Sequence, residues 1–139
     1  MGPKGLVDTG AILALLDADD AWHQRCAEVF PSLRLPLATS SAVLADLFHL
    51  VRARTREIEL AWQFLRSDVV TVLPITDEDT PHLERLMLKY RDRPMDFADA
   101  TLVRLAERET LPTVFTIDHD DFETYRIGVR SRFRIMPPR

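Results

Sequence analysis

Short apolar runs alternate along the chain with longer segments in which apolar residues recur at helical spacing. The runs at residues 5–8, 69–73 and 113–117 are typical of buried strands, and weaker runs at 35–39 and 133–135 predict two more. Pro36 places the 35–39 run at a sheet edge or a strand start. Helices are predicted over 9–17, 20–30, 41–54, from 55 onward, 76–91 and 96–110, with a short turn or helix near 122. This alternation predicts an α/β fold with a mainly parallel sheet of about five strands and helices on both faces.

The length of 139 residues is that of one compact domain, and neither a repeat nor a Gly/Ser linker divides the chain. We therefore expect a single domain over residues 1–139. The longest apolar stretches, such as 11–16, are too short to span a membrane, and the first residues do not form a secretion signal. A lone cysteine, Cys26, suits a reducing compartment. These features predict a cytoplasmic protein without membrane association.

The charged residues have an unusual make-up. Arg accounts for sixteen of the 18 basic residues and Asp for fourteen of the 22 acids, and the net charge is −4. A net acidic chain argues against a protein that coats DNA. Arg130, Arg132 and Arg134 alternate, so on one strand they would share a face, either as solvated surface or as phosphate contacts.

Two acids follow predicted strands directly. Asp8 ends the first strand, and Asp118 ends the strand at 113–117. Ligand sites in parallel sheets form beyond the carboxyl ends of strands, so both acids lie where such a site is expected. Each also has a structural interpretation, because Asp8 could cap the next helix and Asp118 could be an ordinary turn residue.

Three further acids lie on predicted helices. Asp46 shares a helix face with Val43 and Leu50, where a carboxylate needs either an Arg partner or a metal ion. Asp96 and Asp99 open the helix at 96–110, where both would also suit an N-cap and the first turn. If Asp8, Asp46, Asp99 and Asp118 converge in one crevice, their repulsion would raise their pKa values unless a divalent cation is bound. All-oxygen ligands favour Mg²⁺ or Mn²⁺, and Thr116 lies on the strand face of Asp118.

Four segments together resemble the PIN domain, and in particular the VapC-type toxins of bacterial toxin–antitoxin pairs. They are residues 6–13 (LVDTGAIL), 41–46 (SAVLAD), 95–100 (MDFADA) and 115–118 (FTID). The resemblance implies a three-layer α/β/α fold and Mg²⁺- or Mn²⁺-dependent endoribonuclease activity. By motif position it implies that Asp8, Asp46, Asp99 and Asp118 bind the metal and that Thr116 supports them.

One residue departs from the family pattern, because Asp46 stands where the family usually has Glu. Its shorter side chain reaches less far, so it would hold the ion directly or through water. Asp96, Asp120 and Asp121 are possible compensators, which we assign to outer or structural positions.

The implied partners are an RNA substrate, a small antitoxin protein and a second copy of the chain in a homodimer. Two alternatives stay open: a PIN-fold RNA-processing nuclease that is not a toxin, and a non-catalytic module whose acidic crevice binds a partner's Arg residues.

Overall fold

The computed structural model of the protein describes residues 2–139 and arranges them around a five-stranded sheet. The strands of the chain are β1 (Gly5–Val7), β2 (Leu37–Thr39), β3 (Val70–Val72), β4 (Thr113–Phe115), β5 (Arg126–Ile127), β6 (Ser131–Arg132) and β7 (Arg134–Met136). The helices are α1 (Thr9–Leu16), α2 (His23–Val29), α3 (Ser41–Leu50), α4 (Thr55–Arg66), α5 (Thr80–Lys89), α6 (Phe97–Glu109) and α7 (His119–Thr124). Two short 3-10 helices span Phe30–Ser32 and Asp77–Asp79.

The central sheet has the strand order β3-β2-β1-β4-β7, and every neighbouring pair is parallel. Leu6 of β1 pairs with Ala38 on one side and with Val114 on the other, and all three side chains are buried. A strand that is apolar on both faces must be covered by helices on both faces. The predicted three-layer α/β/α fold with a parallel five-stranded sheet is therefore confirmed.

Helix α6 is tied to the segment before α5 by a buried acid. Asp79 is 1% exposed, and it accepts hydrogen bonds from Arg104 Nε and Arg108 Nη1, each at 2.7 Å. Thr76 N–H donates to the same carboxylate at 2.9 Å. A buried carboxylate satisfied by two guanidinium groups holds these segments in one register, because losing either guanidinium would leave one oxygen of a buried charge without its ionic partner.

Several predicted boundaries differ from the structure. Of the two positions predicted for the 35–39 run, the sheet edge is wrong and the strand start is confirmed. β2 begins directly after Pro36 and lies inside the sheet between β3 and β1, and Leu37 N–H donates to Val69 O at 2.8 Å. The helix predicted over 41–54 ends at Leu50, followed by a turn in which Arg54 N–H donates to Val51 O. The helix predicted over 76–91 begins only at Thr80, because the Thr76–Asp79 capping box closes a 3-10 turn first.

Two surface features of the structure do not follow from the sequence pattern. Trp62 is 50% exposed and stacks on Phe48 with ring centroids 4.8 Å apart, while neighbouring Ala61 faces the core. The alternating arginines do not share one strand, because Arg132 lies in β6 and Arg134 in β7. The sequence pattern did not indicate the short antiparallel hairpin of β5 and β6, which directly precedes β7 and contains Arg132.

The described helices include none long and apolar enough to serve as a transmembrane segment.

Candidate active site

A cleft of about 340 Å³ opens at the carboxyl edge of the sheet, beside the ends of β1 and β4. Six carboxylates line it, and they belong to Asp8, Asp46, Asp96, Asp99, Asp118 and Asp121. Within residues 2–139, no Lys or Arg side chain lines this cleft. The structure thus brings the four predicted ligands together with Asp96 and Asp121, whereas Asp120 points away and pairs with Arg139.

Thr116 joins the two acids that follow the strands. Its hydroxyl donates to Asp8 Oδ2 at 3.1 Å and accepts the backbone N–H of Asp118 at 3.0 Å. The other oxygen of Asp8 accepts the N–H of Thr9 at 2.8 Å, so this carboxylate also caps α1. The buried Thr116 therefore fixes the carboxyl group of one strand end against the backbone of the other.

Gly10 permits the close approach of these two strand ends. A Cβ atom at this position would lie 2.9 Å from Ile117 Cγ1, closer than van der Waals contact allows. Any larger residue at position 10 would therefore force the side chain of Ile117, the residue before Asp118, to shift. The small residue after Asp8 and Thr9 thus contributes to the geometry of the cleft.

Asp99 enters the cleft from the first turn of α6. Asp96 caps this helix, because its Oδ1 accepts the N–H of Asp99 at 2.7 Å. Asp99 is 7% exposed, and its Oδ2 accepts a 2.8 Å hydrogen bond from the hydroxyl of Tyr125. The fully buried Tyr125 ring packs edge-on against Phe122 and Tyr90, so its hydroxyl is a fixed donor to this carboxylate.

Asp46 lies at the exposed rim of the cleft. We expected it on an apolar face, but Leu50, one turn later, is 52% exposed, and only Val43 on that face is buried. The expected desolvation of Asp46 is therefore absent. Its carboxylate is accessible to water or to a bound ion.

The tightest carboxylate group differs from the predicted set. Asp99, Asp118 and Asp121 each offer an oxygen atom, and these atoms all lie within 4.8 Å of one another. Asp121 also accepts a hydrogen bond from Arg93 Nε at 3.1 Å and donates its own N–H to Asp118 Oδ1 at 3.3 Å. The assignment of Asp8, Asp46, Asp99 and Asp118 as the metal ligands stays a prediction, to which the structure adds Asp121 as a neighbour.

Three of these carboxyl groups have raised pKa values. Burial, together with the nearby charges of Asp8 and Asp96, raises the pKa of Asp99 to about 8. Burial raises the pKa of Asp8 to about 6, although its bonds to Thr9 and Thr116 act in the opposite direction. Burial and the adjacent Asp121 raise the pKa of Asp118 to about 6. Because no Lys or Arg side chain of the described residues lines the cleft, ionisation of these three carboxyl groups costs free energy when no cation is bound.

A divalent cation fits this donor set. Apart from His49, the described lining of the cleft offers only oxygen ligands, which Mg²⁺ and Mn²⁺ prefer. The raised pKa values of its carboxyl groups are those expected where like charges lie together without a cation. Zn²⁺ would favour Cys and His ligands, and of these the lining has only His49.

Two residues of this site were not predicted from the sequence. His49 lines the cleft one helical turn after Asp46, and the spacing of three residues was a usable signal. Tyr125 lies 26 positions from Asp99, so no local pattern connected them. Only the packing of α7 and the following residue under α6 brings its hydroxyl to Asp99.

Known proteins resemble this chain in sequence and in fold. The profile of the PIN domain family matches residues 5–127. The chain belongs to the PIN domain family. It is 32% identical over 136 residues to Ribonuclease VapC26 of Mycobacterium tuberculosis (strain ATCC 25618 / H37Rv), an alignment that covers 95% of this chain and 99% of that protein.

Two solved structures show the same fold. VapC20 of Mycobacterium tuberculosis, described as a sarcin-ricin loop cleaving toxin, has a TM-score of 0.73 at 24% identity, covering 83% of this chain and 90% of its own. A toxin–antitoxin complex from Klebsiella pneumoniae has a TM-score of 0.67 at 15% identity, covering 94% of this chain and 99% of its own.

Proposed function

We propose that this protein is an endoribonuclease that hydrolyses RNA phosphodiesters with Mg²⁺ or Mn²⁺ and acts as the toxin of a toxin–antitoxin pair. The observation that carries the proposal is the cleft itself, where carboxylates from four separate elements meet at the carboxyl edge of the sheet. The 32% identity to a ribonuclease over nearly the whole chain supports the activity.

Asp8, Asp99 and Asp118 would hold the cation, with Asp46 at the rim reaching it directly or through water. When bound, the ion supplies positive charge that activates water and offsets the charge developing on the phosphodiester. Asp121 is a further candidate ligand, because one of its oxygens lies within 4.8 Å of those of Asp99 and Asp118.

Neighbouring side chains hold these carboxylates in place before the substrate binds. Thr116 fixes Asp8 and the backbone of Asp118, and Tyr125 fixes Asp99. Such outer hydrogen bonds orient metal ligands and reduce the reorganisation needed for the reaction.

The direct test removes charge without changing shape. We expect Asp8→Asn and Asp118→Asn each to lower RNA cleavage by at least about a hundredfold, because each removes a proposed cation ligand. Cleavage of labelled RNA by purified protein, with Mg²⁺, with Mn²⁺ and with EDTA, measures this. Asp92→Asn, an exposed acid outside the cleft, is the matched control and should cleave like the wild type.

The same assay separates the alternatives. A chain that binds RNA or a basic peptide but never cleaves in Mg²⁺ or Mn²⁺ would be a binding module, and the enzyme proposal would fail. Wild-type cleavage by either Asn variant would contradict the metal-site assignment. Cleavage without growth arrest on expression would favour an RNA-processing nuclease over a toxin.

A toxin requires a partner that blocks the cleft in the resting cell. An Arg inserted among the carboxylates would supply the missing positive charge and could bond two oxygens at once. The exposed Trp62 lines a hollow of about 400 Å³ with Ile58 and Arg66 on α4, which supports docking of an apolar segment nearby. Co-expression with a small protein encoded next to this chain should give an inactive complex, and restored cleavage on changing that protein's inserted Arg to Ala would support this arrangement.

We also propose a homodimer, a single domain over residues 1–139 and a cytoplasmic location. The proposed dimer is supported by Met87 and Leu88, two exposed apolar side chains on α5 that offer a surface for a second copy of the chain. Light scattering of the purified chain would measure its oligomeric state.

A further inference from the structure

A second groove, of about 460 Å³, adjoins the acidic cleft. The two share Asp46 and Asp96, so they form one continuous depression between α3 and α6. Ala42 and Ala45 of α3 form one wall, and Phe97 of α6 belongs to the other. The groove is thus mainly apolar beyond the two shared carboxylates.

Phe97 is the unusual side chain of this groove. It is the first residue of α6, two positions before Asp99, and it is 52% exposed. An aromatic ring of this size is normally covered, and a half-exposed ring in a concave surface next to a site is a typical recognition feature. The other exposed aromatic residue of the described chain, Trp62, lies in a different hollow.

The chemistry of the groove favours a flat, uncharged ligand. Within residues 2–139 its lining contains no Lys or Arg, so a phosphate would find no counter-charge there. The buried hydroxyl of Thr101 is already used, since it donates to Ala98 O at 2.6 Å and contacts Ser40 Oγ at 2.7 Å. Beyond the two carboxylates shared with the acidic cleft, the groove offers a ligand an aromatic ring, apolar walls and the exposed Ser41.

We propose that this groove binds an unstacked RNA base next to the scissile phosphate, with Phe97 as its stacking platform. The inference rests on the proposed nuclease function, because the RNA chain connects the two depressions. A phosphate held in the acidic cleft places the base of a flanking nucleotide beside Asp46 and Asp96, at the entrance to the groove. Proteins read single-stranded RNA in this way, by splaying out bases and stacking them on aromatic side chains.

The test pairs protein variants with RNA that lacks one base. Phe97→Ala, Phe97→Leu and Phe97→Trp are compared on a short single-stranded RNA that the wild type cleaves at one bond. The same RNA is then made with an abasic nucleotide at each position flanking that bond. We expect Phe97→Ala to lower kcat/KM by about tenfold on intact RNA, mainly through KM, and Phe97→Trp to retain it.

The decisive result is the loss of this difference on one abasic RNA. If Phe97 stacks one base, wild type and Phe97→Ala should cleave the RNA lacking that base at equal rates. Val129→Ala, an exposed apolar side chain in the turn between β5 and β6 that lines neither depression, is the control and should behave as wild type on every RNA. Thermal unfolding of each variant confirms that the fold is intact.

Three results would overturn the inference. A wild-type-like Phe97→Ala, or an equal loss on every abasic RNA, would exclude base stacking while leaving the nuclease function standing. Normal cleavage combined with weakened binding of an antitoxin would assign the groove to a protein partner instead. A wild type that cleaves no RNA in Mg²⁺ or Mn²⁺ would refute the proposed function itself, and the base site with it.

Discussion

Replacing Asp99 by Asn should make the metal-free protein more stable. Asp99 is nearly fully buried beside other carboxylates, and its pKa is raised from 3.8 to about 8. Asn keeps the shape, and its carbonyl oxygen can still accept the hydroxyl of Tyr125. Its amide group can donate to the neighbouring Asp118 or Asp8, so the substitution removes the charge without leaving a buried polar atom unpaired.

The magnitude follows from the pKa difference. One pKa unit corresponds to about 1.4 kcal/mol, so at pH 7 a carboxyl at about 8 when folded and 3.8 when unfolded costs the folded state about 4 kcal/mol. Asp8 and Asp118 protonate over an overlapping range and share the repulsion. We therefore expect Asp99→Asn to recover about half of this free energy, ~2 kcal/mol, or ~6 °C in Tm.

The pH dependence distinguishes this cause from simple repacking. A raised carboxyl pKa means that the folded protein holds a proton that the unfolded chain has lost, so wild-type stability falls as pH rises from about 4 to about 8. The Asn variant should show a flatter curve, with the two proteins converging near pH 4.

Chemical unfolding in EDTA across this pH range measures the effect, with Asp92→Asn as the surface control. Excess Mg²⁺ should then stabilise the wild type more than Asp99→Asn, because the variant lacks a proposed ligand. Parallel stability curves for the two proteins would refute the explanation by carboxylate repulsion.

Two further substitutions probe the geometry of the cleft. Tyr125→Phe keeps the buried ring and removes the donor to Asp99, so Mn²⁺ affinity measured by electron paramagnetic resonance should fall about tenfold with little change in fold. Unchanged Mn²⁺ affinity would show that Tyr125 only packs. Asp46→Ala should also weaken Mn²⁺ binding, whereas Asp46→Glu should be tolerated because the rim has room for a longer side chain. Normal Mn²⁺ binding by Asp46→Ala would remove Asp46 from the ligand set.

The layered fold was predictable because its signals are local. Three strands of the central sheet lie in clear apolar runs and two in weaker ones, and the helices between them show apolar residues at helical spacing. Boundaries were less predictable, since they depend on distant partners. Arg104 and Arg108 satisfy Asp79 from another helix, which local sequence cannot reveal.

The site was predictable to the extent that topology dictates it. Asp8 and Asp118 follow adjacent parallel strands, so the sheet itself brings them together. The exposure of Asp46 was not predictable, because the two apolar residues expected on its helix face differ: Val43 is buried, whereas Leu50 at the end of α3 is exposed. The proximity of Asp121 depends on the bend after β4, where Asp118 caps α7 and Asp121, in the first turn of that helix, lies beside the cleft.

The carboxylates that make the cleft suitable for catalysis also make the metal-free protein less stable. Both proposed occupants of the cleft, a divalent cation and a partner's Arg side chain, would act on this repulsion. A divalent cation relieves the repulsion and supports cleavage, whereas a guanidinium group relieves it without activating water. Both would stabilise the fold through Asp8, Asp99 and Asp118, so each should exclude the other. A partner that inserts an Arg therefore needs no conformational change in the toxin to inhibit it, because occupying the charge site is sufficient. Added Mg²⁺ should weaken such a complex in proportion to its own affinity for the free cleft.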